Sequence, residues 1–163
     1  MHPLIFVATV AASVGSGLIA GTFFVFSVAI MRALGQRPAS EGMAAMQAIN
    51  LVILNPIFLG VFIGTAILST LAAMGGIVRW ELPRSGYLLA GAMLYVVGTF
   101  LVTIIFNVPL NNALAAADSA NAGGQELWKT YLTNWAFWNH VRTVASLGAL
   151  ISFIMALSSG SRL

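Results

Sequence analysis

One histidine, one arginine and a set of asparagines stand within long apolar stretches of this 163-residue chain, and they are the side chains there that can do chemistry. His140 is an imidazole, the group suited to giving and taking protons near neutrality, and is either the candidate general base or an interfacial histidine bonded to a neighbouring helix. Arg142 can neutralise an anionic oxygen, or stack on Trp138 one turn earlier as an anchor that needs no ligand. Asn107 and Asn111 can donate to a developing oxyanion or tie helices together by hydrogen bonds. These four form the candidate catalytic set. Asn50, Asn55, Trp135, Trp138, Asn139, Phe24 and Met31 are the candidate substrate-binding residues. Two helical positions apart means a divergence of about 200°, so His140 and Arg142 cannot both point straight into one site. Asn139 and Arg142 share a face with Trp135, whereas His140 lies with Thr143 and Leu147. Either a helix begins irregularly near Asn139, or one face alone reaches a ligand.

Much chemistry is excluded by what the chain lacks. There is no cysteine, hence no disulfide, thiolate metal site or cysteine nucleophile. No carboxylate lies in an apolar segment, so neither a paired-acid site nor a carboxylate-bridged metal centre has ligands, and no metal is expected. His2 is far from His140 in sequence, at what would be the other membrane face, which disfavours a bis-histidine haem. No cofactor is expected, with haem or quinone as the alternatives. Seven Lys/Arg against four acids are scattered singly, which makes no nucleic-acid patch.

The elements that must position these residues follow from composition. With 60% hydrophobic and 7% charged residues, and a mean hydropathy of +0.96, the chain has too few charges to cover a water-soluble globule. About 20 apolar residues cross a bilayer. The expectation is an all-α, integral membrane four-helix bundle, one transmembrane domain over residues 1–163, with spans at about 4–31, 50–78, 87–110 and 138–157. Its partners are the lipid bilayer, a hydrophobic small molecule, and a second copy or another membrane protein. Breakers occupy the connections: Pro38, then Pro83 with Gly86, then Ala120 to Gly124. Small residues from Ala12 to Gly21 allow close packing within the bundle or at a dimer contact. Basic residues divide evenly between the two sides. Asp118 and Glu126 in a long third loop tip the expectation towards cytoplasmic termini, in a multi-pass protein of a bacterial cytoplasmic membrane.

Up-down topology brings the polar groups to one end. Met43, Met46, Gln47 and Asn50 share one helical face, followed by Asn55-Pro56. Thr99, Thr103, Asn107 and Asn111 recur at steps of four, and Trp135, Trp138, Asn139, His140 and Arg142 open the last span. Trp128, Tyr131 and the tryptophans after them read as an interfacial aromatic belt.

The strings Gly21-Thr-Phe-Phe-Val-Phe-Ser27, Met46-Gln-Ala-Ile-Asn50, Asn107-Val-Pro-Leu-Asn111 and Trp135-Ala-Phe-Trp-Asn-His-Val-Arg142 resemble the anthrone-oxygenase-like family of small four-helix membrane proteins. The resemblance implies a membrane oxygenase for anthrone-type aromatic substrates, working by proton abstraction and direct reaction of the enolate with dioxygen. His140 would be the base, Asn107, Asn111 or Arg142 the oxyanion donors, and Trp135, Trp138 and Phe24 the sandwich for the fused rings. The competing readings are a non-catalytic assembly or binding subunit, a haem- or quinone-binding redox subunit, and a transporter, the last weakened by the absence of acids within the spans.

Overall fold

The computed structural model describes residues 2–119 and 121–159, in which five helices and no strand are found. Four are long and apolar enough to cross a membrane: α1 (Pro3–Gly35), α3 (Pro56–Val78), α4 (Arg84–Ala115) and α5 (Ala122–Ser158). The fifth, α2 (Ala39–Val52), is shorter and less apolar and lies between the first two spans. α1 packs on α5 and α3, and α4 packs on the same two helices, giving a square arrangement of antiparallel neighbours.

Two departures from the expected spans have local causes. The expected span 50–78 is two elements, because Asn55-Pro56 ends one helix and starts the next. Asn55 is extended (φ −80°, ψ 157°), the conformation a following proline favours. Its Oδ1 accepts from Phe58 N at 3.0 Å, and Pro56 occupies the first helical turn, where its missing N–H costs nothing. The pair therefore starts a helix rather than repairing a kink within one. The expected span 138–157 is the second half of a 37-residue helix, and most of the expected loop 112–136 is helical. Asn121 begins that helix by accepting from Gly124 N at 2.8 Å, and no proline interrupts it afterwards.

Unequal lengths shape the site. α1, α4 and α5 have 33, 32 and 37 residues, while α3 has 23. Towards the end where α3 starts, the longer helices run on beyond it, and α2 covers the gap. Gln47 of α2 donates to the carbonyls of Leu114 (2.8 Å) and Ala117 (3.3 Å) at the end of α4. Met43 and Met46 are fully buried there against Leu114, Trp128, Tyr131 and Trp135. The expected aromatic belt is thus largely interior: Trp128, Tyr131 and Trp135 are buried between α5 and α2, although Trp80 and Tyr87 are exposed at the other end.

In the other half, small residues bring the backbones together. A Cβ at Gly98 on α4 would stand 2.7 Å from Ala145 Cβ on α5, and one at Gly15 on α1 would collide with the Thr65 hydroxyl on α3. The Gly17/Gly21 step is less engaged, since nothing lies within 4 Å of a Cβ at Gly21.

Candidate functional site

Beneath α2, where α3 begins, the four spans enclose a cavity of about 270 Å³. Its walls are mostly aromatic and aliphatic: Phe23 and Phe26 from α1, Met46 and Ile49 from α2, Phe58 and Phe62 from α3, and Phe100 from α4. Leu54, Ile63, Ile104 and Val108 line it and are also exposed, so its mouth lies on the lipid-facing side between α3 and α4. Three π-helical segments contribute to the lining: Phe26–Ile30 through Phe26, Val96–Leu101 through Phe100, and Thr103–Asn107 through Thr103 and Ile104. Such wider turns shift side chains out of the regular helical register and recur at functional sites.

The polar part of the wall is Thr22, Asn50, Thr103, Asn111 and Arg142. Arg142 is 4% exposed. Its Nη1 donates to Thr103 Oγ1 at 3.3 Å and its Nη2 to Asn139 Oδ1 at 2.8 Å, while Nε is buried with no hydrogen-bond partner. The guanidinium lies over the Phe23 ring at 4.0 Å and over Trp135 at 5.1 Å, not over Trp138. No carboxylate pairs with it: the ion pairs among the described residues are Arg37–Glu41 and Lys129–Glu126, both exposed. A buried cation without an acid is costly in an apolar medium, and what compensates here is two neutral acceptors and two aromatic faces.

Asn111 is oriented by its neighbours. Its Oδ1 accepts from Tyr131 Oη and from Trp135 Nε1, both at 2.8 Å, and because indole N–H can only donate, the amide orientation is fixed. What Asn111 has left to offer the cavity is its Nδ2 hydrogens. Asn50 Nδ2 donates to the same Tyr131 hydroxyl at 3.4 Å, which joins α2 to this network.

Of the residues singled out from the sequence, Asn50, Asn111, Trp135 and Arg142 meet at the cavity. The others lie elsewhere. His140 is exposed on the opposite side of α5, its Nδ1 2.9 Å from Ser27 Oγ. α5 is regular through this stretch, so of the two geometries open to the sequence, one face alone reaches the cavity, and it is the Arg142 face. Asn139 is buried behind Arg142, donating to Phe23 O and Ser27 Oγ at 2.8 Å each. Asn107 is also buried but outside the lining, donating to Trp135 O at 3.4 Å, with its Oδ1 unpaired. Trp138 stacks on Phe106 (centroids 3.6 Å apart), Phe24 is exposed, Met31 packs in the cluster under α2, and Asn55 caps α3.

A sequence profile described as anthrone oxygenase matches residues 57–152, more than half of the chain. The chain belongs to the anthrone oxygenase family. The matched stretch holds Asn111, Trp135 and Arg142 with most of α3 and α4, while Phe23, Met46 and Asn50 come from the helices that precede it. Neither a search of curated proteins nor one of solved structures finds a match. Membership in the anthrone oxygenase family points to an oxygenase-like role, and four apolar helices fit an integral membrane protein.

The residues the sequence did not single out as site residues are mainly Phe26, Phe58, Phe62, Phe100 and Thr103 on the wall, and Tyr131 behind it. Tyr131 and Thr103 had a usable signal. Tyr131 precedes Trp135 by one helical turn, and Thr103 stands a turn before Asn107.

Proposed function

We propose that the cavity binds a flat, hydrophobic anthrone-type substrate as its enolate and presents it to dioxygen. One observation carries this reading: Arg142, buried and without an acid, stands in the wall of an otherwise apolar aromatic cavity. Such a cation favours a ligand carrying one negative oxygen. Asn111 Nδ2 is the second donor, and the stabilisation acts where water is scarce and charge interactions are strong. Phe23, Phe26 and Trp135 present the ring faces and edges against which fused rings pack.

Among the described residues the lining contains neither imidazole nor carboxylate. In this reading the chain fixes the anion rather than making it: the acidic C–H proton is lost to water at the membrane surface, before the enolate enters the cavity. The enolate carbon then transfers an electron to dioxygen and a C–O bond forms, giving a peroxide anion that takes a proton back from water. Loss of water from that peroxide breaks the O–O bond and leaves a second carbonyl, so one substrate and one dioxygen yield one quinone and one water. An enolate of this kind is electron-rich enough to reduce dioxygen itself. Both the apolar substrate and dioxygen concentrate in lipid, and the mouth between α3 and α4 faces it.

The test is oxygen uptake by purified protein in nanodiscs with anthrone as substrate, comparing the parent with Arg142→Met. Turnover above the protein-free rate that disappears in the variant supports the proposal. Equal turnover by both, or none above background by the parent, rejects it.

A further inference from the structure

At the opposite end of the bundle a second cavity, about 760 Å³, lies where α1 starts, α3 ends and α4 begins. Its lining includes three basic side chains, His2, Arg79 and Arg84, and no acid among the described residues. Glu81, in the connection between the two arginines, is exposed and outside the lining. Neither arginine has an ion-pair partner among the described residues, and Arg84 Nε is buried without a hydrogen bond. The connection is folded back on itself: the Ser85 hydroxyl donates to the Arg79 carbonyl, and Leu82 N donates to Arg79 O at 3.0 Å. This brings the two guanidinium-bearing residues to one cavity. His2 accepts from Leu4 N through Nδ1 at 3.3 Å, which leaves Nε2 for a ligand. Ile5, Met74 and Leu88 complete the wall on its apolar side.

We propose that this cavity binds phosphate, carried by the headgroup of an anionic membrane phospholipid. Guanidinium groups match phosphate oxygens in charge and in their forked geometry. Trp80 and Tyr87, exposed beside the cavity, mark the level at which aromatic side chains sit among headgroups. The apolar wall offers the glycerol and first acyl carbons a surface that free phosphate would not use. The site is independent of the Arg142 cavity, which lies at the other end of the spans.

The experiment is native mass spectrometry of the full chain in a non-ionic detergent, titrated with phosphatidylglycerol, with diacylglycerol as a phosphate-free control and inorganic phosphate as competitor. The parent binds phosphatidylglycerol in preference to diacylglycerol, and the double variant Arg79→Gln/Arg84→Gln binds it about 30-fold more weakly, each basic residue near the headgroup being worth about fivefold. Arg79→Lys/Arg84→Lys retains part of the affinity, while anthrone-dependent oxygen uptake is unchanged in both double variants. Displacement of the lipid by millimolar inorganic phosphate supports the phosphate site but overturns its assignment to lipid. Undiminished binding by the glutamine variant overturns the proposal. If that variant does not fold, the parent alone decides, since equal binding of diacylglycerol and phosphatidylglycerol also overturns it.

Discussion

The α3–α4 and α4–α5 contacts around Gly91, Tyr95 and Gly98 and the walls around Arg142 belong to the same helices, yet they are built by opposite rules. In the first region, alanine, glycine and serine let helices approach until a single added Cβ at Gly98 would crowd Ala145, and a Thr99–Ser146 hydrogen bond (2.9 Å) joins α4 to α5. In the second, long side chains from five helices line a cavity of about 270 Å³. Close approach maximises dispersion and permits interhelical hydrogen bonds, which is what holds helices together in lipid. A binding site needs the reverse. The bundle has both because residue size changes along each helix, so that one half can carry the instability of the other.

The largest effect expected from breaking this division is at Arg142. Arg142→Met keeps an unbranched, flexible stem and removes the charge. Anthrone-dependent oxygen uptake should fall by about 100-fold or more, as when a donor to a developing oxyanion is lost. Thermal stability should hold or rise, because a buried cation that no acid neutralises is replaced by an apolar side chain. A fall in melting temperature with turnover per folded molecule intact would instead make Arg142 part of the scaffold.

Gly98→Leu reverses the pattern. Its Cβ alone would stand 2.7 Å from Ala145 Cβ, and the remaining atoms would push α4 from α5. Overpacking of this kind costs about 1–3 kcal/mol, read as a lower melting temperature in detergent, while turnover per folded molecule stays near the parent's. Equal loss of turnover would show that the cavity depends on the spacing of the scaffold half.

Asn50→Leu probes the boundary between the two. It removes a long hydrogen bond to Tyr131 (3.4 Å) and one polar group from the wall, leaving the Tyr131–Asn111 bond in place. About 1 kcal/mol is at stake, the net worth of a typical hydrogen bond, so turnover should fall by about fivefold and the melting temperature only slightly. An unchanged rate would confine the polar wall to Arg142 and Asn111.

The sequence reveals this division unevenly, for physical reasons. Trp135, Asn139 and Arg142 share a helical face, and the structure buries that face, because Asn139 and Arg142 find their hydrogen-bond partners in the interior, whereas His140 on the other face is exposed. The phenylalanines of the cavity carry no such signal. Phe58 and Phe62 line it while Phe24 faces out, and since lipid accepts apolar residues as readily as the core does, periodicity does not distinguish the two sides. α2 is hidden for a related cause: Leu51 to Leu54 continue the apolar run into α3, and only the Asn55-Pro56 capping geometry separates them. The full length of α5 is not legible because Ala120 to Gly124 and the polar residues that follow, as far as residue 136, read as loop, whereas α2 provides a protein surface that buries Trp128 and Tyr131.

The smallest effect is expected at His140, and it tests the comparison from outside the cavity. A hydrogen-bonded chain runs from the imidazole to the site: His140 Nδ1 to Ser27 Oγ at 2.9 Å, Asn139 Nδ2 to Ser27 Oγ at 2.8 Å, and Arg142 Nη2 to Asn139 Oδ1 at 2.8 Å. The middle link is an amide, which passes protons poorly, and Ser27 is also 3.2 Å from Thr143 Oγ1, so it stays anchored when the imidazole is removed. His140→Ala should therefore change oxygen uptake by less than about twofold and stability by no more than about 0.5 kcal/mol, as for an exposed position. A large loss of turnover with the fold intact, restored by small imidazoles added to the assay, would make this chain the route by which the substrate's proton leaves. The functional half would then extend through Asn139 to the lipid-facing side of α5, and the base missing from the cavity would be found at the far end of the arginine's own hydrogen bonds.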